Sequence, residues 1–112
     1  MRRGEIWWAS LGEPIGSGPG FRRPMLIVQS NDFNASAIAT VVCAAITSNL
    51  HLVGAPGNVR LARRSSGLSR ESVVNVSQLI TVDKRLLTSR VGHVPPQALR
   101  EIEAGIRVVL SL

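Results

Sequence analysis

Ten consecutive residues near the start of the chain, Gly12-Glu13-Pro14-Ile15-Gly16-Ser17-Gly18-Pro19-Gly20-Phe21, contain four glycines and two prolines. Such a run can neither continue a strand nor form a helix. It is a long loop for a chain of 112 residues, and long loops in small domains are usually functional or mobile. The segments on either side of it are short. Glu5–Leu11 is aromatic and β-prone, which predicts a first strand. Pro24–Ser30 is apolar throughout and predicts a second strand buried on both faces.

The same punctuation continues. Asn31-Asp32-Phe33-Asn34 reads as a turn of side chains that bond their own backbone. Ile38–Ile46 is a third strand, again without alternation. Gly54–Asn58 leads into a short strand, Val59–Leu61, and a loop from Ala62 to Arg70 carries Arg63 and Arg64. Ser72–Ser77 is a fifth strand, and Ile80–Leu87 and Val91–Val94 are short extended pieces. Only the end of the chain changes period. After Pro95-Pro96, the residues Leu99, Ile102, Ile106, Val109 and Leu110 fall on one helical stripe, and proline suits the first position of a helix. No repeat or linker divides the chain. One domain over residues 1–112 is expected: several short strands in a small antiparallel barrel or sandwich, with a terminal helix.

Composition removes several classes. Apolar residues make up 45% and charged residues 18%, which is ordinary for a folded domain and unlike a disordered one. Cys43 is the single cysteine, so there is no disulfide framework, and its setting in an apolar run reads as a small buried hydrophobe. One cysteine and two distant histidines do not make a structural zinc site. No apolar run is long enough to span a membrane. Glu5 and the early turn residues interrupt any signal-like stretch after the basic start. A cytoplasmic protein is expected. Thirteen Lys and Arg stand against seven Asp and Glu, a net charge of +6, and Lys84 is the sole lysine. Guanidinium forks match phosphate oxygens. The excess points to nucleic acid or to an acidic protein as partner.

No nucleotide-binding loop, dinucleotide fingerprint or serine elbow is present. Gly16–Gly20 has the look of a phosphate cradle but lacks the lysine and the following helix. Two features carry more. In Arg22-Arg23-Pro24 the proline biases Arg23 towards extended backbone, so a rigid position beside the loop presents its side chain; taken alone, two arginines at a loop end are more often a solvated face than a site. Thr47 and Ser48 end a buried strand, where a hydroxyl can meet a ligand or simply close a turn.

Taken in order, these residues resemble one family. Arg3-Gly4-Glu5-Ile6-Trp7, Gly16-Ser17, Arg23-Pro24 with Gln29-Ser30-Asn31, and Ile46-Thr47-Ser48 look like the MazF/PemK toxin endoribonucleases. Ser72–Val76 with Gln78-Leu79, then Val82–Leu86 and the terminal Val109-Leu110-Ser111-Leu112, extend the likeness to the whole chain. The resemblance implies a mainly β, SH3-like small barrel with a C-terminal helix, in the fold group of the gyrase-poisoning toxins. It implies a homodimer, a cognate antitoxin, and contact with operator DNA only through the antitoxin complex. It implies sequence-specific cleavage of single-stranded RNA, mainly messenger, without metal or other cofactor, leaving 2′,3′-cyclic phosphate and 5′-hydroxyl ends. The family's catalytic arginine and hydroxyl fall on Arg23 and Thr47. Ser17, Phe21, Arg22, Ser48 and Gln78 are then candidates for RNA contact, Phe21 by stacking on a base.

Several other positions admit two readings. Some family members carry a glutamate shortly before the arginine; here Ser17–Phe21 has no carboxylate, and Glu13 is the only acid in the loop. His51 is a candidate proton carrier or a plain loop residue, and His93 reads as structural or solvated. Arg22, Arg63 and Arg64 are phosphate contacts or solvated surface. Trp7 and Trp8 should point to opposite faces of the first strand, one into the core and the other into a dimer contact or RNA groove. Two other readings are a non-catalytic toxin that poisons a protein such as gyrase, and an inert nucleic-acid-binding module. The gyrase poisons use a tryptophan near the carboxyl terminus, whereas both tryptophans here lie at the start.

Overall fold

The computed structural model describes residues 1–112. Six strands form, β1 (Glu5–Ser10), β2 (Arg22–Ile27), β3 (Thr40–Thr47), β4 (Val59–Leu61), β5 (Ser72–Asp83) and β6 (Leu87–His93). Three α-helical segments accompany them, the single turns α1 (Asn31–Asn34) and α2 (Arg63–Ser66) and the long α3 (Pro96–Leu110), with short 3-10 turns at Leu50–Gly54 and Lys84–Leu86. The strands make one antiparallel sheet in the order β4-β5-β3-β2-β1-β6. The sheet curls until its two edges approach. The α2 turn, which follows edge strand β4, touches edge strand β6 so closely that a methyl on Gly92 would run into the carbonyl of Ser66. The result is a half-barrel with a C-terminal helix, as the resemblance implied.

The unbroken apolar runs of β2 and β3 are explained by two cores, one on each face. Ile6, Leu26, Ala44, Ile46, Val74, Val76 and Ile102 belong to the first. Ala9, Met25, Ile27, Val41, Cys43, Ala45, Val82 and Leu87 belong to the second. Adjacent residues on one strand therefore bury in opposite directions. Cys43 is fully buried in the second core, and burial pushes its thiol pKa up to about 12. The tryptophans divide as expected: Trp7 packs against the second core, and Trp8 faces a cavity on the other side.

The extended pieces at Ser72–Ser77 and Ile80–Leu87 need correction. Ser72–Asp83 is one strand, and Leu87 starts the next. Against β3, the pairing jumps from Leu79↔Ala44 to Asn75↔Ala45, leaving Val76, Ser77 and Gln78 as an insertion. A bulge of this kind bends its strand and increases the local twist. Asn58 supplies what the ladder does not: its Oδ1 accepts the Val76 N–H at 3.0 Å, and its Nδ2 donates to Leu52 O at 2.8 Å. The loops at 31–34 and 62–70 also differ from expectation, each containing a helical turn.

Helix α3 starts at its proline as predicted. Its stripe is buried only over the first part. Ile102 and Gly105 are buried and Leu99 and Ile106 partly so, but Val108, Val109 and Leu110 are exposed. Arg3 ties the helix to the sheet, pairing with Glu103 and donating from Nε to Val28 O at 2.9 Å. No helix is long and apolar enough to cross a membrane.

Candidate active site

The site begins where two ladders part. Strand β2 pairs with β1 through Ala9↔Arg23 and Trp8↔Pro24. On its other side it pairs with β3 only from Met25↔Ala45 to Ile27↔Cys43. The ladder stops beside Pro24, which has no N–H to donate. Continuing its register by two residues sets Arg23 opposite Thr47. Opposite residues of an antiparallel pair face the same side, with Cβ atoms roughly 4.5–5.5 Å apart. The guanidinium and the hydroxyl thus share one row at the mouth of the β2–β3 pair.

Their hydrogen bonding differs in a useful way. Nε of Arg23 is buried and has no partner, the single side-chain nitrogen or oxygen in the molecule of which this is true. A buried donor left unmade is costly, and an anion's oxygen would satisfy it. Thr47 Oγ1 accepts the Asn49 N–H at 3.1 Å. The turn expected there does form, and because the oxygen is the acceptor in it, the hydroxyl proton is left to donate.

Beside Arg23 lies a cavity of about 290 Å³. Strand β1 contributes Trp8 to its lining and β2 contributes Arg22 and Pro24, while Ile46 and Ser48 come from the end of β3. The Arg22 guanidinium lies 4.1 Å from the Trp8 ring centroid, a cation–π contact. The segment after α2 closes the far side with Leu68, Ser69, Arg70 and Ser72. No carboxylate lines the cavity. Glu71, next in sequence to Arg70, is turned elsewhere: it accepts the Arg63 N–H at 2.6 Å and pairs with Arg60 at 3.6 Å. The other ion pairs, Arg3–Glu103, Arg85–Asp83 and Arg90–Glu5, also lie away from it. None of the three lining arginines, Arg22, Arg23 and Arg70, is in an ion pair; Arg22 and Pro24 are on the cavity's face of β2, and Arg23, in the alternating row with Met25, borders it from the other.

Of the sequence candidates, the cavity gathers Arg22, Arg23 and Ser48, with Thr47 adjacent by register. It does not gather Ser17, Phe21 or Gln78. These belong to the glycine-rich loop and its anchor. Leu11 N–H donates to Phe21 O at 2.8 Å and Phe21 N–H donates back to Gly12 O, closing the loop at its base. Gln78, on the β5 bulge, donates to Ser17 O at 2.8 Å. Phe21 is 64% exposed. His51, Arg63 and Arg64 are exposed and line no cavity, and His93 borders a separate one with Arg2 and Arg90. No three His, Cys, Asp or Glu side chains converge as a metal site would require. Sequence reading missed the Leu68–Ser72 wall. Nothing local marks it: Ser69-Arg70 is one more polar stretch in a loop until the curl of the sheet carries it over Trp8.

The chain is also similar to known proteins. Residues 2–110 match the family described as PemK-like, MazF-like toxin of type II toxin-antitoxin system. The chain is 51% identical over 112 residues to endoribonuclease MazF6 of Mycobacterium tuberculosis, covering 100% of this chain and 98% of that one. It is 30% identical to endoribonuclease EndoA of Bacillus subtilis, covering 100% and 96%. A mycobacterial endoribonuclease solved in complex with its cognate antitoxin superposes with a TM-score of 0.83 at 25% identity, over 100% of this chain and 96% of that one. A MazF from Deinococcus radiodurans gives 0.82 at 21% identity, over 100% and 97%, a likeness of fold. With the half-barrel, the ordered motifs and the match over nearly its full length, the chain belongs to the PemK-like, MazF-like toxins of type II toxin–antitoxin systems.

Proposed function

We propose that this MazF-like endoribonuclease toxin cuts single-stranded RNA, messenger above all, with Arg23 and Thr47 as its catalytic pair. RNA carries its own nucleophile, the 2′-hydroxyl beside the scissile phosphate. The protein has to hold that oxygen in line with the leaving group and stabilise the charge that develops on the phosphoryl oxygens. Arg23 donates to those oxygens and Thr47 holds the phosphate through its free hydroxyl proton. The products are a 2′,3′-cyclic phosphate and a 5′-hydroxyl, and the step needs no metal because the nucleophile is internal. Arginine stays protonated near neutrality, so its role is electrostatic. The observation that carries this reading is the buried, unpartnered Nε of Arg23, one strand across from a threonine whose hydroxyl proton is unused.

Arg22, Ser48, Ser17, Phe21 and Gln78 bind flanking RNA, the last three through the glycine-rich loop. The toxin acts in the cytoplasm as a homodimer, and an acidic cognate antitoxin covers the basic opening and blocks RNA. Solved relatives bound to their antitoxins support that partner. Operator DNA is reached only through the toxin–antitoxin complex.

The decisive experiment incubates the purified protein with RNA in EDTA and analyses fragment ends by mass spectrometry. Cleavage with cyclic phosphate ends is expected. Arg23→Ala should lower the rate about 100- to 1,000-fold, the usual cost of losing one oxyanion donor, with an unchanged circular dichroism spectrum. Metal dependence, or an Arg23→Ala variant as active as the wild type, refutes the assignment.

A further inference from the structure

The cavity beside Arg23 is unbalanced in its hydrogen-bonding side chains. The lining residues include three arginines and three serines, with no carboxylate and no amide, and of the arginines Arg23 belongs to the β2 row that faces the second core. A guanidinium can only donate. The serine oxygens are the only side-chain acceptors among the lining residues, Ser72 donating its own proton to Arg70 O at 3.0 Å. Arg70 has no ion pair, because the one nearby carboxylate, Glu71, is engaged by Arg63 N–H and Arg60. The remaining walls are flat or apolar: Trp8 with the Arg22 guanidinium laid on it, Ile46 and Leu68. A planar ring with acceptors on its edge fits such a space. A ring with an amino group there would bring a donor against a cation.

We propose that this cavity is a base-reading subsite for one of the two nucleotides flanking the scissile phosphate, that it selects a keto base, uracil or guanine, and that Arg70 is the residue that discriminates. The inference rests on the RNA-cleaving reading above and deepens it. The ring stacks on the Arg22–Trp8 slab, as unpaired bases stack on aromatic and guanidinium planes. Arg70 donates to the carbonyl oxygen, O4 of uracil or O6 of guanine, where cytosine and adenine carry amino groups. Arg23, on the cavity's rim, keeps the adjoining phosphate. Recognition and chemistry are thus split between two arginines from different segments of the chain.

The test uses the full-length protein and short single-stranded RNAs differing only at the nucleotide on either side of the cut. Cut sites are first located by sequencing the 5′ ends of fragments from a randomised RNA. The readout is the ratio of cleavage at keto to cleavage at amino bases. Wild type should favour uracil or guanine at one flanking position; which of the two identifies the ring. Arg70→Ala, and Arg70→Lys, which keeps the charge but not the planar fork, should each reduce that ratio about 10-fold, about 1.4 kcal/mol for one arginine–base contact. Preferences at other positions should stay as they are, which a merely structural role would not predict. The same ratio is read from the affinities of oligomers with a 2′-deoxy sugar at the scissile position, which cannot be cut. Loss of cleavage therefore bears on the catalytic reading and not on this one. Preference for adenine or cytosine at both flanking positions, no preference at either, or Arg70 variants that keep the wild-type ratio would each overturn the proposal.

Discussion

Replacing Gly105 by alanine should destabilise the protein, although the same change in most helices does the opposite. Alanine in a helix interior is favoured over glycine by about 1 kcal/mol. Gly105 sits inside α3, so intrinsic propensity alone predicts a gain. The tertiary contact reverses the sign. A methyl there would run into the Gly57 carbonyl oxygen and lie 3.0 Å from the Gly57 Cα. The obstacle is backbone, not the end of a flexible side chain, and it is held. Gly57 has φ +82°, the following Asn58 donates its N–H to Ala55 O at 3.2 Å, and the Asn58 side chain is bonded to both Leu52 and Val76. Relief requires α3 to lift from the first core. Overpacking of this kind costs about 1–3 kcal/mol, and a rigid obstacle puts it at the upper end. After the propensity gain, a net loss of about 2 kcal/mol remains, lowering Tm by roughly 8 °C for a domain of this size. Urea unfolding followed by circular dichroism measures it as a lower midpoint at unchanged slope. Gly54→Ala is the control, because nothing lies within 4 Å of a methyl at that position, and it should be neutral or slightly stabilising. A Gly105→Ala protein as stable as wild type would refute the packing described for α3.

Two further outcomes follow from buried and paired groups. Cys43, fully buried with its thiol pushed up to about 12, should not react with a disulfide reagent at pH 8 until the protein unfolds; rapid modification of the native protein would contradict the second core. Burial pushes the Glu5 carboxyl up, but hydrogen bonds from Trp7 Nε1 and Arg2 N–H and the charge of Arg90 outweigh it, and the net pKa lies below its ordinary 4.5. A depressed folded value means that stability from Glu5 is complete above about pH 4.5 and is lost as pH falls through the folded pKa. The stability advantage of wild type over Glu5→Gln, measured by urea unfolding, should therefore shrink on acidification; an advantage that grows in acid would reverse the sign.

Much of the fold was legible because strand and helix periods are local. Arg23-Pro24 and Ile46-Thr47-Ser48 stood out through backbone restriction and position at strand ends. The reading failed where local pattern is silent. The gap after Ser77 suggested two strands, because a three-residue insertion looks like a break unless the partner strand is known. The exposed Val109 and Leu110 were indistinguishable from Ile102 on the same stripe, since periodicity gives a face and not its partner.

The amino-acid sequence by itself determined the strand-rich class, the terminal helix, the long loop and the two strand ends that bear Arg23 and Thr47. Each depends on residues within a few positions of one another. The tertiary structure alone decided that the β2–β3 register, continued past its last pair, sets that arginine opposite that threonine, that Arg22 lies on Trp8, and that Arg70 lines the cavity from a segment 47 residues beyond Arg23. These depend on strand pairing and sheet curl, which come from burying two apolar faces at once and leave no mark at any single position in the chain.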